Sequence, residues 1–281
     1  MTSFVVVRDY GGSIMKFIKY VVALLLSLPV LGQADSLFGS DLAGDRKLPK
    51  TFGIGVDYFS LDQPFQIDRL SISTPVPILP PNLDPALIGT DSEVTHGDLK
   101  IDVWLLPFLN VFAIYGQIDG ETIVDLSNIG VLLPPEVSRL AIDYDGDVYG
   151  GGVVLVVGGE RWFASVTGTF TETSLSGDFN SSVQPTTIQP RVGLCFRDDS
   201  EFWIGGYFID AEESHAGTAI LDLGPLIGVV PIDFDVKLSQ KQDFSLSVGT
   251  HMMLSHSSEA TIEVGAGDRD TALANLTYRF E

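Results

Sequence analysis

Asp143-Tyr144-Asp145-Gly146-Asp147 places three carboxylates at alternate positions, a donor set that suits a hard cation such as Ca²⁺. The EF-hand template is not met. Glycine falls at the wrong offset, and Val154 stands where a bidentate Glu is needed. The reading is an acidic loop top, with a cation site at Asp143, Asp145 and Asp147 as the alternative. A second set that could do chemistry is spread along the chain: Asp57, Lys100, Asp102, Gln117, Arg191, Asp235, Lys237 and His251. These residues alternate with apolar neighbours. Charges of both signs on one side of a sheet suit either a buried ion-pair network or a polar conduit for a small solute. The single Cys195 excludes an intramolecular disulfide framework and Cys-rich zinc patterns. No cofactor is expected.

The elements that would carry these side chains are strands. Ten segments alternate with a period of two: Thr51–Leu61, Asp98–Leu106, Val111–Asp119, Asp147–Val157, Arg161–Thr173, Thr186–Phe196, Phe202–Ala211, Ile232–Ser239, Asp243–Ser255 and Thr271–Phe280. In Arg161–Thr173, Trp162, Ala164, Val166 and Phe170 oppose Ser165, Thr167, Thr169 and Thr171. Each segment approaches the ~9–11 residues that a tilted strand needs to cross a bilayer. The connections alternate, long after odd-numbered strands and short after even-numbered ones. Bacterial outer-membrane barrels have this asymmetry, with short periplasmic turns and long external loops. An open edge cannot be satisfied in lipid, so the sheet must close. The expected fold is all-β: a closed antiparallel transmembrane β-barrel of about ten strands. Ala260–Val264 as an added strand widens the range to 8–12.

Composition supports this. The chain is 45% hydrophobic, yet outside its N-terminal segment no apolar run is long enough for a spanning helix. Lipid-facing strands account for both facts. Lys and Arg number 16 against 37 Asp and Glu, a net charge of −21, which argues against a nucleic-acid partner. Residues 1–34 read as a secretory signal peptide, with Met15-Lys16-Phe17-Ile18-Lys19 as basic region, an apolar run from Tyr20 to Leu31, and cleavage after Ala34. Residues 1–14 do not fit that pattern, which makes Met15 the expected start. Residues 35–50 form an N-terminal lead, and 51–281 a single barrel domain.

The last segment, Thr271-Ala272-Leu273-Ala274-Asn275-Leu276-Thr277-Tyr278-Arg279-Phe280, resembles the C-terminal signature of Gram-negative outer-membrane β-barrel proteins. The resemblance implies location in the cell outer membrane, recognition by the barrel assembly machinery, and contact with outer-membrane lipid and lipopolysaccharide. One departure is Glu281, since the family usually ends on the aromatic. His256-Ser257-Ser258 followed by Asp270 is similar to the lipid A 3-O-deacylases, whose His, Ser and Glu form a hydrolytic triad on the barrel exterior. Carried over, His256 would be the base, Ser258 the nucleophile and Asp270 the orienting acid. The departures are Asp for Glu, Glu259 for the family's Asn, and a longer barrel. Pairing in the expected last hairpin would bring position 256 near 270.

Three connections carry apolar, proline-punctuated segments, around Ile78 and Leu79, Leu132 and Leu133, and Leu226 and Ile227. Greasy external loops suggest an interaction site, here for a small hydrophobic ligand. The functional expectation is a small passive channel or transporter for a small solute, hydrophobic in one version, and no enzyme. The alternatives are a structural or adhesive barrel with a plugged lumen, and a lipid-modifying hydrolase of the outer membrane.

Overall fold

A computed structural model describes residues 37–39, 49–75, 84–129, 138–176, 179–196, 199–222, 228–241, 244–267 and 269–281. The signal segment, the start at Met15, most of the 35–50 lead and the apolar segments at 78–79, 132–133 and 226–227 lie outside the described residues. Among the described residues are eleven strands: β1 (Phe52–Ser73), β2 (Gly89–Leu106), β3 (Leu109–Asp125), β4 (Arg139–Gly158), β5 (Trp162–Ser176), β6 (Phe179–Cys195), β7 (Glu201–Asp222), β8 (Val229–Gln240), β9 (Phe244–Met253), β10 (Ser258–Ala266) and β11 (Asp270–Phe280). All pairings are antiparallel.

The strands close a lower ring and carry an upper one stacked on it, in which β5 and β6 are no longer laddered above Phe170↔Thr186 and the Thr173 hydroxyl bridges to Val183 instead. In the lower ring β1–β7 run in order, β9 pairs β7, β10 and β11 follow, and β11 returns to β1 from Phe52↔Phe280 to Asp62↔Asp270. That ring has ten strands. In the upper ring β8 alone joins β7 to β1, with Glu212↔Ser239 on one edge and Phe65↔Gln240 on the other. The barrel therefore narrows from ten strands to eight. The expected count of ten is met by a different set. Ile232–Ser239 does not cross the lower ring, and Ser258–Ala266 takes its place. Several expected loops are upward extensions of strands. The β5–β6 connection, expected to be long, spans residues 177–178 only.

The two rings have opposite faces. Lower β1 turns Ile54, Val56 and Tyr58 outward and Gly53, Gly55 and Asp57 inward; upper β1 turns Leu61 and Phe65 inward and Asp62 and Gln66 outward. Apolar side chains such as Val153, Leu155, Val157, Trp162, Val166, Phe170, Val192, Leu194, Ile204 and Leu246 stand exposed around the lower ring. Each side chain so exposed to water would forfeit on the order of 1 kcal/mol, so the band demands a lipid solvent. The band covers about nine residues per strand, near what a tilted crossing needs. Inside the upper ring, Phe65, Val236 and Leu238 form one buried cluster, and Ile88, Val124, Leu126, Ile129 and Ile142 another. Above the lipid, water lies outside, so the apolar face turns in.

The sheet forks where β8 and β9 part. β7 leaves β9 after Phe208 and joins β8 at Glu212. Between them the side chain of Gln240 stands in for a strand. Its Oε1 accepts from Ala211 N at 2.8 Å, and its Nε2 donates to Ile209 O at 2.9 Å. On the β1 side Arg269, buried at the tip of the β10–β11 hairpin, donates from Nε to Gln63 Oε1 at 2.7 Å. At the lower end Leu37 N and Phe38 N donate to Trp104 O and Leu105 O, so part of the lead pairs with β2.

Candidate functional site

The lower ring's interior is a set of linked ion pairs. Period two aims alternate side chains of each strand inward, and closure brings strands distant in sequence within reach. Arg279 of β11 bonds Asp102 of β2 through Nη1 at 2.8 Å and Glu259 of β10 through Nε at 2.6 Å. Asp102 also accepts from Asn110 Nδ2 at 2.7 Å. His251 Nε2 lies 3.4 Å from Glu259 Oε2, and Glu201 of β7 faces His251 in register. One layer higher, Arg191 Nη2 meets Glu263 Oε2 at 2.5 Å and lies over the Trp203 ring at 5.2 Å. Glu263, 1% exposed, accepts from Ser247 Oγ at 2.6 Å. Asn275 donates to Asp57, and Lys100 sits 5.2 Å over the ring of Phe112. Glu259 and Glu263 are engaged at both carboxylate oxygens, which offsets the cost of burying them, whereas both bonds to Asp102 go to Oδ1 and its buried Oδ2 has no hydrogen-bond partner among the described residues.

The glycines on the inner wall do not leave an opening. A Cβ at Gly152 would sit 2.6 Å from the Phe112 ring, at Gly249 2.4 Å from Trp203, and at Gly120 2.3 Å from Tyr144. Aromatic side chains from neighbouring strands occupy that space.

Asp57, Lys100, Asp102, Arg191 and His251 point inward as expected. Gln117, Asp235 and Lys237 do not. Gln117 lies on the outer face of β3 with Tyr115, opposite Asp147. Asp235 and Lys237 are on the outer face of β8, whose inner face carries Phe234, Val236 and Leu238. For Asp235 and Lys237 the expectation set apolar equal to lipid-facing, which reverses once the strand rises above the lipid. Gln117 was misplaced because both faces of β3 are apolar, with Val111, Ala113 and Tyr115 outward and Phe112, Ile114 and Ile118 inward. The main partners missed were Arg279, Glu259, Glu263 and Glu201. A signal existed for two of them: Glu259, Thr261, Glu263 and Gly265 alternate with Ser258, Ala260, Ile262 and Val264.

His256, Ser258 and Asp270 are not brought together. Ser258 pairs with Tyr278 at the lower turn, whereas Asp270 is level with Asp62 at the hairpin's upper tip. Eight ladder positions at roughly 3.3 Å each separate them. Ser258 does face outward, in a depression of ≈ 280 Å³ lined by Ile54, Val56, Leu99, Leu276 and Tyr278. Asp143, Asp145 and Asp147 stand exposed on the outer face of β4, on a strand rather than a loop top. Their carboxylates run along a flat face, and no cluster able to hold a metal ion occurs among the described residues.

A second polar group lies inside the upper ring. His215, 0% exposed, receives or gives a hydrogen bond at Nδ1 with Ser181 Oγ at 2.8 Å, and its Nε2 is 3.4 Å from Glu213 Oε2. Ser181 is directly opposite His215 in the β6–β7 ladder. The Tyr144 ring centroid is 5.7 Å from that of His215. Burial, and then the Glu213 carboxylate, push the Tyr144 hydroxyl far above the ordinary phenol range, so it stays a neutral donor.

The closed ring, its lipid-facing band and its charged interior define a transmembrane β-barrel of the outer-membrane kind. No protein-family model matches the chain, and no curated protein matches it. Among solved structures it is similar to the transport unit of the autotransporter AIDA-I from Escherichia coli, at 11% identity and a TM-score of 0.39, covering 93% of this chain and 97% of that one. It is similar to the outer membrane protease OmpT from Escherichia coli at 9% identity and a TM-score of 0.40, covering 82% and 97%. It is also similar to the outer membrane protein OprG from Pseudomonas aeruginosa at 10% identity and a TM-score of 0.35, covering 82% and 97%. At that distance the likenesses say nothing about this chain's activity.

Proposed function

We propose that the protein sits in the bacterial outer membrane as a channel of the transport class, closed in the state described and opened by rearrangement of the charged layer around Arg279. The observation that carries the reading is the make-up of that closure. Among the described residues it consists of side chains from the wall itself, chiefly Asp102, Glu259 and Arg279, so breaking a few ion pairs would open a path. Asp62, Asp91, Glu93, Glu121 and Asp143, exposed just above the apolar band, would face lipopolysaccharide headgroups. A small hydrophobic solute, met by the apolar external segments, is the preferred cargo. Purified protein in planar bilayers tests this. Rare, small openings are expected of the wild type, with Arg279→Gln paired with Glu259→Gln raising conductance about tenfold, the response of a barrier lowered by about 1.4 kcal/mol. A folded double variant as silent as the wild type would instead favour a plugged structural barrel.

A further inference from the structure

The group inside the upper ring has no part in closing the lower one, and its composition is costly for a mere core. Glu213 is 2% exposed and its ion-pair partner is His215, which is itself fully buried. In register around them stand Val183 and Leu238 beside Glu213 and Val236 beside His215. An apolar pair would fill the same space without the desolvation penalty. Buried acid–histidine pairs touching a hydroxyl are the arrangement that activates a nucleophile. The exposure is graded to match. The acid and the imidazole are buried, whereas Ser181 is half-buried and lies two residues from the upper end of β6.

We propose that Ser181, His215 and Glu213 form a hydrolytic relay on the inner wall of the upper ring, acting on carboxylic esters with a short apolar acyl group. Ser181 Oγ attacks the ester carbonyl carbon as its proton passes to His215 Nδ1, 2.8 Å away. Glu213 holds the opposite nitrogen and balances the imidazolium. Collapse of the tetrahedral adduct breaks the carbon–oxygen bond, and the alcohol leaves with the proton from His215. Water then attacks the acyl-serine, again losing its proton to His215, and releases the carboxylic acid with Ser181 restored. The Tyr144 ring lies tilted against His215, 5.7 Å between centroids, and its hydroxyl is bonded to Ser92 of β2, away from Ser181. The acyl group would lie against Val183, Val236 and Leu238.

The test uses the full-length protein in detergent with a fluorophosphonate probe and p-nitrophenyl butyrate. The expected result is a single adduct on the peptide carrying Ser181, with ester turnover lost about a thousandfold in Ser181→Ala and about tenfold or more in Glu213→Gln. Circular dichroism on each variant confirms the barrel. Absence of adduct and turnover in the wild type, an adduct on another residue, or turnover surviving in folded Ser181→Ala each overturns the relay. Conductance is read separately, so this result stands or falls independently of the channel.

Discussion

Asp102 and Arg279 form their 2.8 Å ion pair across a rung of β1 that has no side chain, Gly53, which pairs with Asp102 on one edge and with Arg279 on the other. A Cβ at Gly53 would lie 2.1 Å from Asp102 Oδ2 and 3.1 Å from Arg279 Nη1. The glycine is thus the condition for the ion pair. Gly53→Val is expected to push the carboxylate off the guanidinium and cost about 1–3 kcal/mol, as overpacking does. Urea unfolding followed by tryptophan fluorescence measures it; an unchanged midpoint would show that the pair tolerates a side chain there.

Arg279 neutralises two buried carboxylates, so its loss leaves both without their cation. Arg279→Met should destabilise the barrel by about 3–5 kcal/mol. Adding Asp102→Asn and Glu259→Gln should recover part of that loss, because the repulsion goes with the charges. A triple variant no more stable than the single one would mean that hydrogen bonding, not charge, sets the cost.

The fork in the sheet depends on one amide. Gln240→Ala removes the bonds to Ala211 N and Ile209 O, leaving two backbone groups of β7 without a strand or a substitute. The expected loss is about 1–3 kcal/mol. Hydrogen exchange at Ala211 should quicken while exchange at Phe208, still paired with β9, does not. Gln240→Glu keeps the acceptor for Ala211 but no donor for Ile209, and should fall between.

At the top of β3 the Asp125 carboxylate accepts from Ser127 N at 2.8 Å, and this bonding to Ser127 holds its pKa below the ordinary carboxylate value of 3.8. The group is ionised more readily folded than unfolded. Its contribution is therefore full above the unfolded value and is lost as pH falls through the folded one. Protection of the Ser127 amide should persist at pH 5 and fade below about pH 3.8. Asp125→Ala should lack it at every pH, and equal protection in that variant would refute the role.

Much of the lower ring was legible because alternation is a local property. Trp162, Val166 and Phe170 declare one face of β5 without reference to any partner, and the same holds for Ile54, Val56 and Tyr58. Arg191, Asp102 and His251 could be placed inside by the same parity. Two things could not be read that way. Glu259 and Glu263 sit in a nine-residue strand of which the sequence reading offered only Ala260–Val264, as an optional addition to the ten. Ser258 and Asp270 are close in sequence and share a face, but the register of β10 on β11 sets them at opposite ends.

By itself the sequence determined the period-two strands, their lipid-crossing length and which residues share a face, since these depend only on neighbouring side chains. The tertiary structure alone decided which face is inside. In the lower ring lipid surrounds the wall and the apolar face turns out; in the upper ring water does, and Phe234, Val236 and Leu238 turn in while Asp235 and Lys237 turn out. It also decided which charges meet. Asp102 and Arg279 are 177 residues apart, and only closure of β11 on β1 brings them together.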